Sequence, residues 1–341
     1  MGSFTWEKKK YNLKVVAILL FLNLIVISSF LFIGITSKNI HFYLPRRAVK
    51  ILTVLIVSYS IGYSSISFQT ITNNHILTPS VMGLDSLYLF IQTIVVFLFG
   101  SRQLVLMTGY SNFILSIVTM IGASWILFLL LFKGEGKNVY YLILTGMILG
   151  GLFSGLSTFM QILLDPNEFS VLEGKMFASF HNINTDLLGF SGIIVIIVIL
   201  VTIKDMPYLD VLSLGTDHAI NLGINYKKVV LKTLMISSTL ISVSTVLVGP
   251  ITFLGILMVS LARQLLKTGY HKEMTLSITL IGCLFLTFGL LIIERVFHNE
   301  TTISVIINFI GGIYFIFLML KESNHDKFKK YHKKIWRKSS C

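Results

Sequence analysis

Ten long apolar runs divide this chain, at 13–35, 48–70, 84–99, 111–132, 139–164, 187–203, 229–248, 251–266, 275–293 and 303–320. A helix of about 20 apolar residues crosses the ~30 Å hydrocarbon core of a bilayer. The runs therefore predict an all-α, polytopic membrane protein of about ten transmembrane helices. They lack the period-two alternation of barrel strands, which excludes a β-barrel. Charged residues make up only 13% of the chain and mean hydropathy is +0.82, too little charge to solvate a globular surface of this size. Residues 1–320 read as a single transmembrane domain and 321–341 as a basic tail. The runs 84–99 and 251–266 are short for a full crossing, so those segments are expected to be tilted, broken or shielded by neighbours.

The net charge of +13 is distributed as a membrane protein distributes it. Lys8, Lys9 and Lys10 precede the first run, and Lys321, Lys327, Lys329, Lys330, Lys333, Lys334, Arg337 and Lys338 follow the last. Alternate connecting segments place 21 Lys and Arg on the side of the termini and 7 on the other. That asymmetry predicts cytoplasmic termini and a cytoplasmic 204–228 segment. The basic clusters flank apolar spans and accompany no nucleic-acid-binding motif, so no nucleic-acid partner is expected. The run 13–35 is too long for a signal-peptide core and shows no small-residue cleavage site, so it reads as a retained span. Cys283 lies within a span and Cys341 ends the chain, a poor placement for a mutual disulfide.

The 214–225 segment interrupts two spans with a polar, helix-capable insert, Leu214-Gly215-Thr216-Asp217-His218-Ala219-Ile220-Asn221-Leu222-Gly223-Ile224-Asn225. Thr216 is placed to cap a short helix whose apolar side carries Ala219, Ile220 and Leu222, and Gly223 to end it in a left-handed turn. So few residues do not fold alone; they suit a peg for another protein's groove. In the fifth run Gly146, Gly150 and Ser154 recur every four positions, with Gly151 and Gly155 beside them. Such a stripe permits close helix packing inside one subunit, or marks a helix that lines a pathway or a subunit interface. Gly249-Pro250 ends the seventh run and predicts a reversal or a short re-entrant helix.

Catalytic patterns are missing from the sequence. It contains no Walker A loop, no HExxH, no paired-Cys or clustered-His ligand set and no catalytic-serine motif. No catalytic residue and no protein-held metal is therefore expected. Ionisable groups at the spans are few: Asp85 near the start of the third run and Glu294-Arg295 at the end of the ninth. An ion-coupled carrier relies on intramembrane carboxylates or broken-helix ion sites, so the energy for any transport is expected from elsewhere.

Four segments resemble the FecCD-type, or type II, permeases of ABC importers for iron–siderophore, haem and cobalamin. Leu44-Pro45-Arg46 is similar to the family's R-L-P-R, with Tyr43 in place of the first Arg. Phe68-Gln69 followed by Asn73, Pro79, Gly83 and Leu84 resembles its L-Q…N-P…P…L-G segment. The 214–225 insert is similar to L-G-D-E-A-A…L-G-V-N. Gly249-Pro250-Ile251-Thr252-Phe253-Leu254-Gly255 with Ala262-Arg263 resembles G-P-I-G-F-V-G…A-R.

The resemblance runs from about residue 44 to residue 320 and implies a fold of ten transmembrane helices per subunit. It implies that Leu214, Gly215, Asp217, Ala219, Leu222 and Gly223 form the coupling helix that docks on a dimer of cytoplasmic ATPase subunits. It implies that Arg46 and Arg295 receive acidic residues of an extracellular substrate-binding protein, with Arg47 or Lys50 compensating for Tyr43. Gly249, Pro250 and Gly255 would lie beside the translocation pathway. Val259-Ser260 replaces the usual Pro-His, as in members that form one half of a heterodimeric permease. Met176-Phe177-Ala178-Ser179-Phe180 with Asn182 and Asn184 is reminiscent of catecholate-siderophore members.

The expectation is thus a multi-pass permease of a bacterial plasma membrane. It would import ferric siderophore, bind no cofactor itself and rely on ATP used by its partner subunit. The Lys-, Ile- and Asn-rich composition suggests a lipid-tethered binding protein. Haem or cobalamin are alternative substrates within the family; an ion-coupled secondary carrier is the alternative from another class.

Overall fold

The computed structural model describes residues 2–34, 39–106, 110–132, 139–181, 183–298 and 300–320. The basic tail 321–341, Cys341 and Asn182 lie outside the described residues. Among the described residues the chain forms α1 (Gly2–Phe32), α2 (Ile40–Ile71), α3 (Leu84–Leu106), α4 (Tyr110–Phe132), α5 (Val139–Ile162), α6 (Pro166–Met176), α7 (Thr185–Leu212), α8 (Thr216–Asn221), α9 (Tyr226–Val248), α10 (Leu254–Leu265), α11 (His271–Arg295) and α12 (Ile303–Leu320). A 3-10 turn, Pro79–Met82, precedes α3. Among the described residues seven helices are long and apolar enough to cross a membrane, and Leu84–Gly100, Phe113–Ile126 and Leu254–Leu265 are shorter apolar helices. Together they account for the ten apolar runs, and the fold is all-α as the runs require.

The axle of the fold is α2. Its apolar window is 78% buried against 17% for α1 and 22% for α7, so α2 faces protein on nearly every side while α1 and α7 face outward. Its sequence explains this. Ser58, Ser60, Ser64, Ser65 and Ser67 are all buried, and small side chains let helix backbones approach where lipid gives no hydrophobic drive to pack. A methyl on Gly62 would lie 2.7 Å from Ile278 Cγ2, and one on Gly282 would lie 3.0 Å from Ser58 Cβ. Glycine on each helix therefore sets the α2–α11 contact. The outer helix α1 is tied down by polar side chains: Asn23 Nδ2 donates to Leu280 O at 3.0 Å, and Asn12 Nδ2 donates to Glu273 Oε2 at 3.0 Å.

Besides the kink at Gly100 inside α3 (φ 79), two features break the bundle's regularity. The 3-10 turn and the start of α3 pack on the middle of α5, and α3 then runs parallel to α5. Ser154 Oγ donates to Ser86 Oγ at 3.0 Å, and Gln161 Nε2 donates to Thr93 Oγ1 at 3.2 Å. Equal spacing of the two pairs fixes the parallel register. The second feature is the α9–α10 junction. Gly249 stands at φ 99, a left-handed region that disfavours side chains, and the chain stays non-helical to Phe253. With 12 residues, α10 is about 18 Å long and does not cross a bilayer by itself, as its short run predicted.

Candidate functional site

At one end of the bundle α8 forms a projecting peg. Its N-cap is Gly215 at φ 109, with no side-chain cap bond, which corrects the expectation that Thr216 caps the helix. Thr216 is instead the first helical residue. Gly223 ends the helix at φ 83, the left-handed turn expected of it. Asn225 then caps α9 by accepting from Lys228 N at 3.1 Å. The predicted apolar side splits in two. Ala219 is fully buried against the bundle, while Leu214, Ile220 and Leu222 are 62%, 53% and 65% exposed. Three exposed aliphatic side chains, Ile220 on the short helix and Leu214 and Leu222 beside its two ends, form a surface suited to a partner's groove. Asp217 lies in the first turn, where a carboxylate suits the helix dipole.

At the opposite end the starts of α2 and α7 and the ends of α1 and α11 surround an open cavity of about 680 Å³. Arg46, Arg47, Lys50 and Arg295 line it together with Glu294 and His181. The four cations differ in role. Arg47 Nη1 donates to the carbonyls of Phe30 (2.7 Å), Leu31 (3.1 Å) and Ile33 (2.9 Å), closing the unpaired C-terminal carbonyls of α1. Arg295 also donates to Ile33 O. Lys50 Nζ and Arg47 Nη2 pair with Glu294 at 2.7 and 3.5 Å. Arg46 is exposed and lies 4.0 Å from the centre of the Phe42 ring. Glu294 does not pair with its neighbour Arg295, since adjacent helical residues face apart. Sequence reasoning named Arg46 and Arg295 but missed Glu294 as the organiser, because its partner Lys50 lies 244 residues away.

The small-residue stripe of α5 packs inside the subunit. A methyl on Gly146 would lie 3.0 Å from Met82 Cα, and Ser154 bonds to Ser86. Gly151 and Gly155 have no neighbour within 4 Å, so a second face of α5 stays open. At the α9–α10 junction the strand-like segment after α6 closes on Gly249. Ser179 N donates to Val248 O at 2.7 Å, and Ala178 N donates to Ser304 Oγ at 3.0 Å. Pro250 is buried beside it. Gly255 faces Ser65 of α2, leaving no room for a side chain. Thr252 Oγ1 reaches Asp85 Oδ2 at 3.4 Å, linking this break to the start of α3. On α6, outside the spans, burial pushes the Lys175 ammonium below its ordinary range.

No group of His, Cys, Asp and Glu able to hold a metal ion occurs among the described residues. A bundle of membrane-length helices with a broken helix pair and a projecting peg is a multi-pass membrane protein. Residues 12–321 match the FecCD transport family, to which this chain belongs.

The chain is 50% identical over 308 residues to the petrobactin import system permease protein YclO of Bacillus subtilis, covering 90% of this chain and 97% of that one. It is 37% identical over 227 residues to the petrobactin import system permease protein FatC of Bacillus anthracis, covering 67% and 64%. Its fold matches a solved chain of a metal-chelate type ABC transporter in an inward-facing conformation. The TM-score is 0.78 at 24% identity, with 91% of this chain and 99% of that chain covered.

Proposed function

We propose that this chain is the membrane permease subunit of an ATP-driven importer of a ferric siderophore, with petrobactin or a related catecholate as the chelate. The observation that carries the reading is the 214–223 segment: a short helix with Ala219 buried and Ile220 exposed, flanked by exposed Leu214 and Leu222, on a chain half identical to a petrobactin import permease. In this reading Leu214, Gly215, Asp217, Ala219, Leu222 and Gly223 dock on a separate ATPase dimer in the cytoplasm. ATP binding and hydrolysis there shift α8, and the bundle alternates its opening. The permease itself holds no cofactor.

The termini and α8 then face the cytoplasm, and the cationic cavity faces outward, as the Lys and Arg asymmetry supports. An extracellular, lipid-tethered binding protein delivers the iron chelate to Arg46 and Arg295. Iron enters already chelated and needs no ligands from the protein. A second, different permease chain completes the pathway. In Bacillus anthracis two relatives, FatC and FatD, are both petrobactin import permeases, at 37% and 24% identity to this chain. The open face of α5 at Gly151 and Gly155, and the junction at Gly249, Pro250 and Gly255, lie toward that partner and the pathway.

Uptake of radiolabelled ferric petrobactin, in cells whose own copy is deleted, tests the reading. Wild type restores uptake, and Leu222→Asp abolishes it while the permease remains in the membrane. Normal uptake by Leu222→Asp in a fully assembled complex would remove the coupling assignment. Uptake that survives depletion of ATP but not of the ion gradient would replace the whole reading with a secondary carrier.

A further inference from the structure

A second polar cluster lies at the same end of the bundle as α8. Asp210 stands two residues before α7 ends at Leu212. Its Oδ1 accepts from the backbone N–H of His271 at 2.7 Å and from the ring Nδ1 of His271 at 2.6 Å. His271 opens α11 and is 3% exposed. Tyr270, at the N-cap of α11, makes no side-chain cap bond. Asp210 therefore caps α11 from another helix and places negative charge at its positive end. A carboxylate only accepts, so Nδ1 carries a proton. The other ring nitrogen, Nε2, lies 2.8 Å from Thr70 Oγ1 in the last turn of α2, and Thr70 Oγ1 is also 2.9 Å from Ile66 O. One imidazole thus joins α7, α11 and α2.

The link from this cluster to α8 is short and stiff. Ser213 Oγ donates to Asp210 O at 2.6 Å, Ser213 N to Leu209 O at 2.9 Å, Leu214 N to Val211 O at 3.1 Å and Gly215 N to Leu212 O at 3.0 Å. Every residue between Asp210 and α8 is tied back to α7, so α8 does not move without the end of α7. Among the described residues, Asp210–His271 is the one side-chain hydrogen-bond link between α7 and α11. It is also charge-assisted and short, the strong kind. A cavity of about 400 Å³ borders it, lined by Gln69, Thr70, Asn73, Ser213, His271 and Met274, and gives the ring space to shift.

We propose that Asp210–His271–Thr70 is the joint that carries displacement of α8 into α2 and α11, which makes Asp210 and His271 positioning residues of the transport cycle. The inference rests on α8 being the ATPase contact. Coupling between distant sites needs an element with two discrete arrangements. This joint, made or broken, supplies one at the point where the end of α7, which carries the peg, meets the buried axle. A plain helix cap would tie only α7 to α11; the second ring nitrogen brings α2 into the same joint.

The test uses the whole transporter, this chain with its partner permease, ATPase and binding protein, reconstituted in liposomes. Uptake of ferric petrobactin and release of phosphate are measured on the same vesicles. His271→Ala is expected to lower uptake per ATP hydrolysed by about tenfold, the size of a typical coupling between sites, while hydrolysis continues. His271→Gln, which retains a donor and an acceptor, recovers part of the ratio. If uptake and hydrolysis fall together in proportion to assembled complex, or the ratio stays unchanged, the joint is only a cap and the proposal fails. Should His271→Ala not assemble, Thr70→Val removes one bond of the three and must lower the same ratio. Leu222→Asp in parallel vesicles separates the two ideas: if it leaves assembly and uptake intact, the α8 reading fails whatever His271 does.

Discussion

Gly83 and Gly150 meet backbone to backbone: a methyl on Gly83 would lie 2.5 Å from Gly150 Cα, and one on Gly150 would lie 2.8 Å from Gly83 Cα. Gly83 also stands at φ 78, so it closes the 3-10 turn in a left-handed conformation that a side chain would strain. The crossing locks the start of α3 to the middle of α5 and sets the register that Ser86–Ser154 and Thr93–Gln161 continue. Gly150→Ala is expected to destabilise the solubilised protein by about 1–3 kcal/mol, the usual cost of overpacking. Gly151→Ala, one residue along and with nothing within 4 Å, leaves the thermal midpoint unchanged. Equal shifts for the two variants in a thermal-unfolding assay would show that close approach is not what the stripe provides.

The cavity's arginines separate by function. Arg47→Ala deprives three carbonyls at the end of α1 of a charged donor and leaves Glu294 to Lys50 alone, so it lowers stability by about 1.5–3 kcal/mol. Arg46 makes no such bonds. Arg46→Glu is expected to leave stability within about 0.5 kcal/mol and to slow capture of the binding protein by roughly tenfold at low salt. The defect shrinks as salt screens the field. Stopped-flow association on the transporter in nanodiscs, over a range of salt, checks this; a salt-independent loss would argue against electrostatic steering.

The ten apolar helices were legible from their runs, seven of them among the described residues at the length bilayer thickness dictates, and the 249–253 break because glycine followed by proline cannot continue a helix. The short helix 216–221 was legible too; its cap was misassigned and its apolar side splits, Ala219 turning inward and Ile220 and Leu222 outward. Gly215 takes the N-cap position at φ 109, which places Thr216 inside the helix. What stayed hidden joins residues far apart in the chain. Lys50 and Glu294 are separated by 244 positions, and Asp210 and His271 by 61, and no local periodicity reports such pairs. The burial of α2 did leave a trace: its hydropathy of 1.6 is well below the 2.8 of α1. Five serines in an apolar run mark a helix that meets protein rather than lipid.

The α9–α10 break depends on a small set of contacts that separate variants can dissect. Ala178 N–H is buried and its partner is Ser304 Oγ at 3.0 Å, so Ser304→Ala strands a donor and is expected to cost about 1–3 kcal/mol. Gly249→Ala is worse, because its methyl would stand 2.9 Å from Ala178 Cα and 3.0 Å from Phe177 O, on a residue already at φ 99. Two penalties act there at once, steric and conformational, and both push the 177–181 segment away from Val248. Gly249→Ala should therefore lower the thermal midpoint more than Ser304→Ala. It should also lose uptake at temperatures where it remains folded, because the extended 249–253 stretch loses its support. A Gly249→Ala protein that transports normally would mean that this close approach is incidental to the transport cycle.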